Sequence, residues 1–334
     1  MKKVDQVLQN VNLSKYATSL LLTGQRKVMT NLCKPLNLSH DSIQRELDNA
    51  EQQIESVKSH NIKTAQKLFG DRNLKAYIDD TTISKPHSFQ LDGIDTIYSS
   101  GEKRTISGLS SVAVMLSDGI NTIPVNADLS FTKKISQEQF ISKPAIAVAM
   151  IKELMQHFII KEVIGDGLYS TKEMIASLKA LGINFLMKIT RTKKVTINGN
   201  TEQIQHCVRL KKNNHYALSV ADFNGIKVYI YVAKIAPGKV NYYIASYKIP
   251  KEKVLEIYRN RWVIECFFRT AKQKLGLQEC QARTSEKQLL HNLYIIQAYQ
   301  IAVLIKYKMK FDNVDQAVNY LQSLNSKGYE IGLS

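Results

Sequence analysis

The sequence has little cysteine and no long apolar run. Four cysteines occur in 334 residues, and none of them forms a CxxC pair that would suggest a zinc site. Reduced, mostly packed thiols of a cytosolic protein are expected at Cys33, Cys207, Cys266 and Cys280. No segment approaches the ~18 apolar residues of a membrane span, and the first residues lack the apolar stretch of a secretory signal. Neither a membrane protein nor a secreted one is expected.

Signatures of nucleophilic hydrolases are also missing. The seven histidines are scattered and form no spacing typical of a metal-ligand set. No nucleophile-elbow pattern accompanies them, so a Ser/His/Asp hydrolase is not indicated.

Acidic residues are few relative to basic ones. The chain has 46 Lys plus Arg against 29 Asp plus Glu, which gives a formal net charge of +17. Cations that neutralise phosphates release condensed counterions, so nucleic acid is the leading partner of such a surface. A solvated basic surface without a ligand is the alternative. A membrane surface is less favoured, because the basic residues are spread along the chain rather than gathered on one amphipathic helix.

The pattern of residues 1–70, with few strand-like runs and several capping signals, predicts a helical module. A helix, a turn at Pro35 and a second helix capped by Ser39 predict a helix-turn-helix for DNA binding. Its second helix would present Ser42, Gln44 and Arg45 to a DNA groove. An ordinary helical hairpin is the alternative, because the pattern is short and common.

The region 71–190 predicts a mixed sheet with helices. Three strand-like runs come first, and an Asp-Gly turn joins the last two as a hairpin. Helices and strands then alternate, which calls for parallel strands and right-handed crossovers. The predicted elements are strands over 74–82, 106–119, 119–130, 159–165 and 183–190, and helices over 143–157 and 170–182. This order is that of the ribonuclease H-like fold, an α/β fold with helices on both faces of a mixed sheet.

The character of the chain changes again between 191 and 250. The helical period disappears there and Gly-containing turns separate short strand-like runs, so a β-rich insertion is predicted. A helix over 251–275 follows, and the catalytic domain would comprise 71–190 plus 251–285. Two or three amphipathic helices are predicted for 286–334. Their apolar stretch is expected in the core, with an interface as the alternative.

Four polar residues share one face of the 251–275 helix, namely Tyr258, Arg261, Glu265 and Lys272. At ~100° per residue they fall within a sector of ~60°, beside an apolar sector. Glu265 is therefore expected at the margin between the core and a cleft. Taken alone, such a face is more often a solvated stripe with i,i+4 ion pairs.

The spacing of these four residues resembles the YREK signature of bacterial insertion-sequence DDE transposases, in which a tryptophan commonly follows the arginine, as Trp262 does here. That family has its first catalytic aspartate before a threonine at the end of the first strand, which matches Asp80 in DDTT. Its second aspartate follows the fourth strand, which matches Asp166 in GDGLYST. Each motif is weak alone, but their order and the β-rich insertion before the glutamate helix make the resemblance specific.

The resemblance implies that Asp80, Asp166 and Glu265 are catalytic and hold two Mg²⁺ ions, for which Mn²⁺ can substitute. Three carboxylates in one cleft repel one another unless a cation neutralises them, and oxygen-only ligands suit these metals. Adjacent strand residues point to opposite faces, so whether Asp79 or Asp80 faces the metal stays open. No organic cofactor is implied.

Contacts with the DNA backbone are also implied by the resemblance. The candidates are Tyr258, Arg261, Trp262 and Lys272, with Arg45 in the amino-terminal module. Relatives with a β-rich insertion seat a flipped base against an aromatic side chain. Here Tyr242 or Tyr243 would have to take that place, and packing within the sheet is the alternative for both.

The implied reaction is cut-and-paste transposition of an insertion sequence in the bacterial cytoplasm, at the nucleoid. The partners would be the terminal inverted repeats of the element, target DNA and a second copy of the chain in the synaptic complex. Two alternatives remain. One is a nuclease of the same fold that cleaves without joining strands, and the other is an inactive remnant that only binds DNA.

Overall fold

The computed structural model describes residues 14–88, 90–99, 101–133, 140–211 and 213–326. The first residues, on which the expectation of no secretory signal rests, lie outside these ranges. The described amino-terminal elements are α1 (Lys15–Leu22), α2 (Met29–Leu32), a 3₁₀ turn (Lys34–Leu36), α3 (His40–Gln44) and α4 (Ala50–Phe69).

The predicted helix-turn-helix is present in a shortened form. Ser39 caps α3 as expected, and its hydroxyl accepts a hydrogen bond from the Ser42 amide at 3.1 Å. The helix expected over 25–33 is reduced to the four residues of α2. Asn37 and Asn49 adopt left-handed backbone conformations, with φ of 49° and 55°, and each interrupts a helical run.

The central sheet follows the predicted order. Its strands are β1 (Asn73–Ser84), β2 (Asp95–Ser99), β3 (Arg104–Ser117), β4 (Thr122–Ser130), β5 (Ile159–Gly165) and β6 (Asn184–Ile189). β1 pairs antiparallel with β3 and parallel with β5, while β4 borders β3 and β6 borders β5. The resulting order β4-β3-β1-β5-β6 confirms the ribonuclease H-like arrangement. β2 is not predicted from the sequence, because its five residues are too few to show a period.

Two helices, α5 (Lys143–Leu154) and α6 (Lys172–Ala180), pack against each other over the sheet. α6 begins one residue later than the predicted capping box indicates. The Thr171 hydroxyl accepts from the Met174 amide at 3.2 Å, whereas the Ser170 hydroxyl donates to the Gly167 carbonyl at 2.8 Å. Ser170 therefore tightens the loop after β5 instead of capping the helix.

The predicted β-rich insertion extends the same sheet. It contains β7 (Lys194–Ile197), β8 (Asn200–Gln203), the short helix α7 (Ile204–Cys207), β9 (Tyr216–Asp222), β10 (Lys227–Ala236) and β11 (Lys239–Ala245). β11 pairs antiparallel with β6, so the described strands form one continuous sheet of eleven. Positive φ at Asn198-Gly199 and Asn224-Gly225 makes the turns that the sequence indicates.

The predicted helix over 251–275 is divided into α8 (Val254–Arg259) and α9 (Trp262–Gln273). The backbone stays helical between them, but Arg261 donates its amide to the Tyr258 carbonyl and Ile264 to Arg261, which are i→i+3 bonds. The helix is therefore tightened at Arg261 rather than bent away.

The carboxyl-terminal helices are α10 (Ser285–Met309) and α11 (Val314–Ser326). α10 is buried around most of its circumference and packs against α1, α4, α11 and β4, so the core assignment is confirmed. Asn61 of α4 donates to the Leu293 carbonyl at 3.1 Å, and Tyr16 of α1 hydrogen-bonds the buried His291 ring at 3.0 Å. Within the described ranges, no helix is long and apolar enough to cross a membrane.

Candidate active site

The first acidic residues of the site lie next to each other on neighbouring parallel strands. Ile78 of β1 pairs with Gly165, the last residue of β5, so Asp79 follows this pair within β1 and Asp166 follows it directly after the end of β5. Neighbouring residues of parallel strands project to the same face of a sheet. Asp79 and Asp166 therefore share the face on which α9 contacts β1.

Arg261 links this pair to the glutamate helix. Its Nη1 lies 2.5 Å from Asp79 Oδ2, and its Nη2 donates to Glu265 Oε1. Asp79 is largely buried, whereas the Glu265 side chain is 37% exposed. The guanidinium thus neutralises one carboxylate from the sheet and one from α9 at the same time.

Asp80 projects to the opposite face and has other partners. Lys143, at the first turn of α5, places its ammonium 2.5 Å from Asp80 Oδ2, and the Tyr169 hydroxyl lies 3.5 Å from Asp80 Oδ1. Tyr169 is fully buried, and its Cβ lies on the same side of the sheet as the Ile78 side chain. Asp80 is therefore neutralised on the α5 and α6 side, away from Arg261.

The electrostatics of the site disfavour ionised aspartates. Burial raises the pKa of Asp79 to about 6, even though Arg261 lowers it, and Asp166 and Asp80 raise it further. Burial also raises the pKa of Asp166, against the Leu168 amide, which donates to it at 2.8 Å, and against Arg261, while the charge of Asp80 raises this pKa as well. Burial is thus the main reason why both carboxyls resist ionisation, and Arg261 offsets it only in part.

Comparison with known protein families decides the identity. The transposase DDE domain matches residues 74–301, which is more than half of the chain. The chain belongs to this family of DDE transposases. A search of curated proteins gave no match. Among solved structures, the chain is similar to one described as the cryo-EM structure of the piggyBac transposase synaptic complex with hairpin DNA. The TM-score is 0.52 at 11% sequence identity, over 97% of this chain and 70% of that one. At this identity the likeness concerns the fold.

DDE transposases use divalent metal ions, and the donor chemistry of this site fits such an ion. Asp79, Asp166 and Glu265 offer carboxylate oxygens, which hard cations prefer, and burial, the main cause of the raised aspartate pKa values, makes a bound cation favourable there. As placed, however, no three acidic, histidine or cysteine side chains of the described residues stand close enough together to hold an ion. Arg261 lies between Asp79 and Glu265, and its buried Nε has no hydrogen-bond partner among the described residues.

The other residues that the transposase resemblance singled out surround this cluster. Tyr258 packs on Tyr243 with ring centroids 4.8 Å apart and lies beside the Arg261 guanidinium. Lys272 is half-buried two turns beyond Glu265, and burial lowers its pKa. Trp262 is 58% exposed. Arg45 is exposed at the end of α3, outside this cluster.

The tyrosines of the insertion differ in their access to a ligand. Tyr243 is 2% exposed and its ring packs against Tyr258. Tyr242 is half-buried and lines a cleft of about 500 Å³ that also contains Asp166 and Lys188. Tyr242 is therefore the more accessible of the two side chains.

Sequence reasoning misses two residues of the site. Lys143 stands at the start of a helix, and Tyr169 lies in the loop GDGLYST, where only Asp166 is assigned a role. Both come next to Asp80 through the packing of α5 and of the loop after β5. No signal in the sequence marks them.

Proposed function

We propose that this DDE transposase belongs to the YREK group and moves an insertion sequence by cleaving and rejoining DNA at the element ends. Asp79, Asp166 and Glu265 would hold the divalent ions, with two Mg²⁺ as the expected occupants and Mn²⁺ as a substitute. The observation that supports this assignment most directly is the shared face of Asp79 and Asp166, joined to Glu265 through one guanidinium.

We favour Asp79 over Asp80 as the first metal ligand. The Asp80 carboxylate is held by Lys143 on the other face of the sheet, whereas Asp79 faces α9. Successive side chains of a strand point to opposite faces of the sheet. Asp80 would then position Lys143 and Tyr169 rather than bind metal.

Bound divalent ions would activate the attacking oxygen and stabilise the leaving oxygen of an in-line phosphodiester displacement. Asp79 and Asp166 would hold them from two rigid strands, and Glu265 from α9. Arg261 would leave the carboxylates and contact a DNA phosphate together with Tyr258 and Lys272. These contacts orient the strand and carry no sequence information.

The wider assembly is proposed on the same basis. The helical module of residues 1–70 would bind the terminal inverted repeats, with Arg45 among its contacts, while 71–190 plus 251–285 carries out the chemistry. The β-rich insertion of 191–250 and the helices of 286–334 would complete the protein. Two copies would act on paired ends at the bacterial nucleoid. The DNA in the piggyBac complex, which is a hairpin, supports DNA as the substrate.

The test is a strand-transfer assay with purified protein, Mg²⁺, labelled element ends and a target plasmid. Joined products are expected. Glu265→Gln should abolish cleavage and joining while retaining DNA binding, and Glu256→Gln, an exposed position on α8, should behave as wild type. Cleavage without joining would instead identify a nuclease. Binding without any chemistry would identify an inactive remnant.

A further inference from the structure

A large basic cavity lies beyond the carboxylates along β1. It has a volume of about 610 Å³ and is bounded by the chain that leaves β1, the loop before α10 and the turn after α1. Ser84, at the end of β1, is five residues beyond Asp79, which corresponds to roughly 16 Å of extended strand. That is about five steps of duplex DNA.

A buried ammonium forms part of the wall. Lys85 is 3% exposed and donates from Nζ to the carbonyls of Cys280 at 2.5 Å and Gln278 at 3.2 Å. An ammonium has three donors, and among the described residues no carboxylate forms an ion pair with this one. The two carbonyls of the loop before α10 fix the position of the Lys85 ammonium, and no described carboxylate is bonded to it.

The remaining charges of the cavity are also positive in balance. Arg26, His87 and Arg283 are exposed and form no ion pair with described residues. The one acid of the lining is Glu279, whose carboxylate accepts from the Lys27 amide. The lining of the cavity therefore contains more basic than acidic side chains.

The backbone that carries these arginines is held in place. The Arg26 carbonyl accepts from Asn31 Nδ2 at 2.9 Å, and the Arg283 carbonyl accepts from the Asp92 amide at 2.9 Å. Their side chains stay free while their positions are set. Because the backbone is already fixed, less backbone entropy is lost when an anion binds.

A second cavity continues the path toward the amino-terminal helices. It has a volume of about 380 Å³, shares Arg283 with the first cavity, and reaches His40 and Gln44 of α3. The two cavities meet at the loop before α10. Together they form a groove, here called the Arg26–Arg283 groove, between the catalytic edge of the sheet and the short helix-turn-helix.

We infer that the Arg26–Arg283 groove binds the phosphate backbone of the DNA duplex that flanks the cut. This inference rests on the proposed transposase function for the identity of the polyanion. The groove would fix the distance between the site of chemistry and the segment bound by α3. Arg26 and Arg283 would each contact a phosphate, with Lys85 adding a fixed positive charge.

The experiment measures binding of a fluorescein-labelled duplex carrying one element end to the full-length protein, by anisotropy at several salt concentrations without divalent metal. The Arg26→Ala/Arg283→Ala double variant should lose affinity roughly tenfold or more, and the slope of log K against log salt should fall by about 2. Both side chains are exposed, so the melting temperature should not change. Arg209→Ala, an exposed arginine of the insertion, is the matched control and should bind as wild type.

An unchanged affinity and an unchanged salt slope in the double variant would refute the inference that the groove binds DNA. Polyglutamate tests an acidic protein partner. If the double variant loses affinity for polyglutamate but retains affinity for DNA, the groove is not a DNA site. If the double variant binds DNA as the wild type does, the groove inference is refuted, but the strand-transfer assay still tests the transposase function. If strand transfer is absent while the double variant loses DNA affinity, the groove inference stands without the transposase function. The two proposals are therefore tested separately.

Discussion

Replacing Asp79 by asparagine should stabilise the metal-free protein at neutral pH. The pKa of this carboxyl is raised from 3.8 to about 6, which corresponds to about 3 kcal/mol of unfavourable free energy when it is ionised in the folded state. A neutral amide at this position would resemble the protonated carboxyl at every pH. The free energy of unfolding of Asp79→Asn should therefore exceed that of the wild type increasingly as pH rises.

The direction follows from proton binding. Between pH values of about 4 and 6 the folded protein retains a proton on Asp79 that the unfolded chain has lost, so the stability of the wild type falls as pH rises through this window. About half of the effect lies above pH 5. Urea unfolding of both proteins at intervals from about pH 5 to pH 8 measures it. A constant difference across this range would refute the assignment of uncompensated charge to Asp79.

Metal adds a second readout to the same experiment. At about 100 times its dissociation constant, Mn²⁺ should stabilise the wild type by about 2.7 kcal/mol. Asp79→Asn should lose most of this gain, whereas Asp80→Asn should retain it, because Lys143 holds Asp80 on the other face. The opposite pattern would make Asp80 the ligand.

Three further predictions concern single contacts. Arg261→Ala should bind Mn²⁺ roughly tenfold more tightly by calorimetry at about pH 8, because a competing cation is removed from two carboxylates. Gly108→Ala places a Cβ in collision with the Ile83 carbonyl oxygen of β1. Urea unfolding should therefore show a free energy of unfolding lower by about 2 kcal/mol or more. In the control Gly101→Ala the added Cβ meets no described atom, and the free energy of unfolding should not change. Tyr231→Phe removes a buried hydroxyl that both donates and accepts, at a cost of about 1–3 kcal/mol, whereas Tyr98→Phe at an exposed ring should be neutral.

Much of the fold could be predicted because its strands are long or punctuated. β1, β3, β4 and β5 are rich in apolar and β-branched residues and are followed by turn residues, and the Asn-Gly turns of the insertion divide its strands. The short strands β2 and β8 are not predicted, because β8 is polar throughout and the five residues of β2 are too few to show a period, whereas the four residues of β7 include two β-branched apolar ones.

The sequence predicts candidate residues for the site, but it does not predict how their side chains are arranged. Motif spacing predicts Glu265, Arg261, Asp166 and, by its place before a threonine, Asp80, yet it does not show which of the two adjacent aspartates faces α9. The proposal of Asp79 depends on strand register, because the pairing of Ile78 with Gly165 places Asp79 and Asp166 one residue beyond the same pair. Register is a property of two strands far apart in sequence.

The role of Arg261 follows from the same charge balance. Carboxylates on neighbouring strands and on α9 cannot be gathered without a cation, and in the absence of metal the chain supplies one from its own motif. That cation is a planar guanidinium, whose geometry matches a carboxylate or a phosphate equally well. If Asp79 and Glu265 hold a divalent ion as proposed, their oxygens would no longer be available to Arg261, and the guanidinium would be free to contact a DNA phosphate. Metal binding and DNA phosphate binding would then be coupled through one side chain, and each should strengthen the other by the same factor.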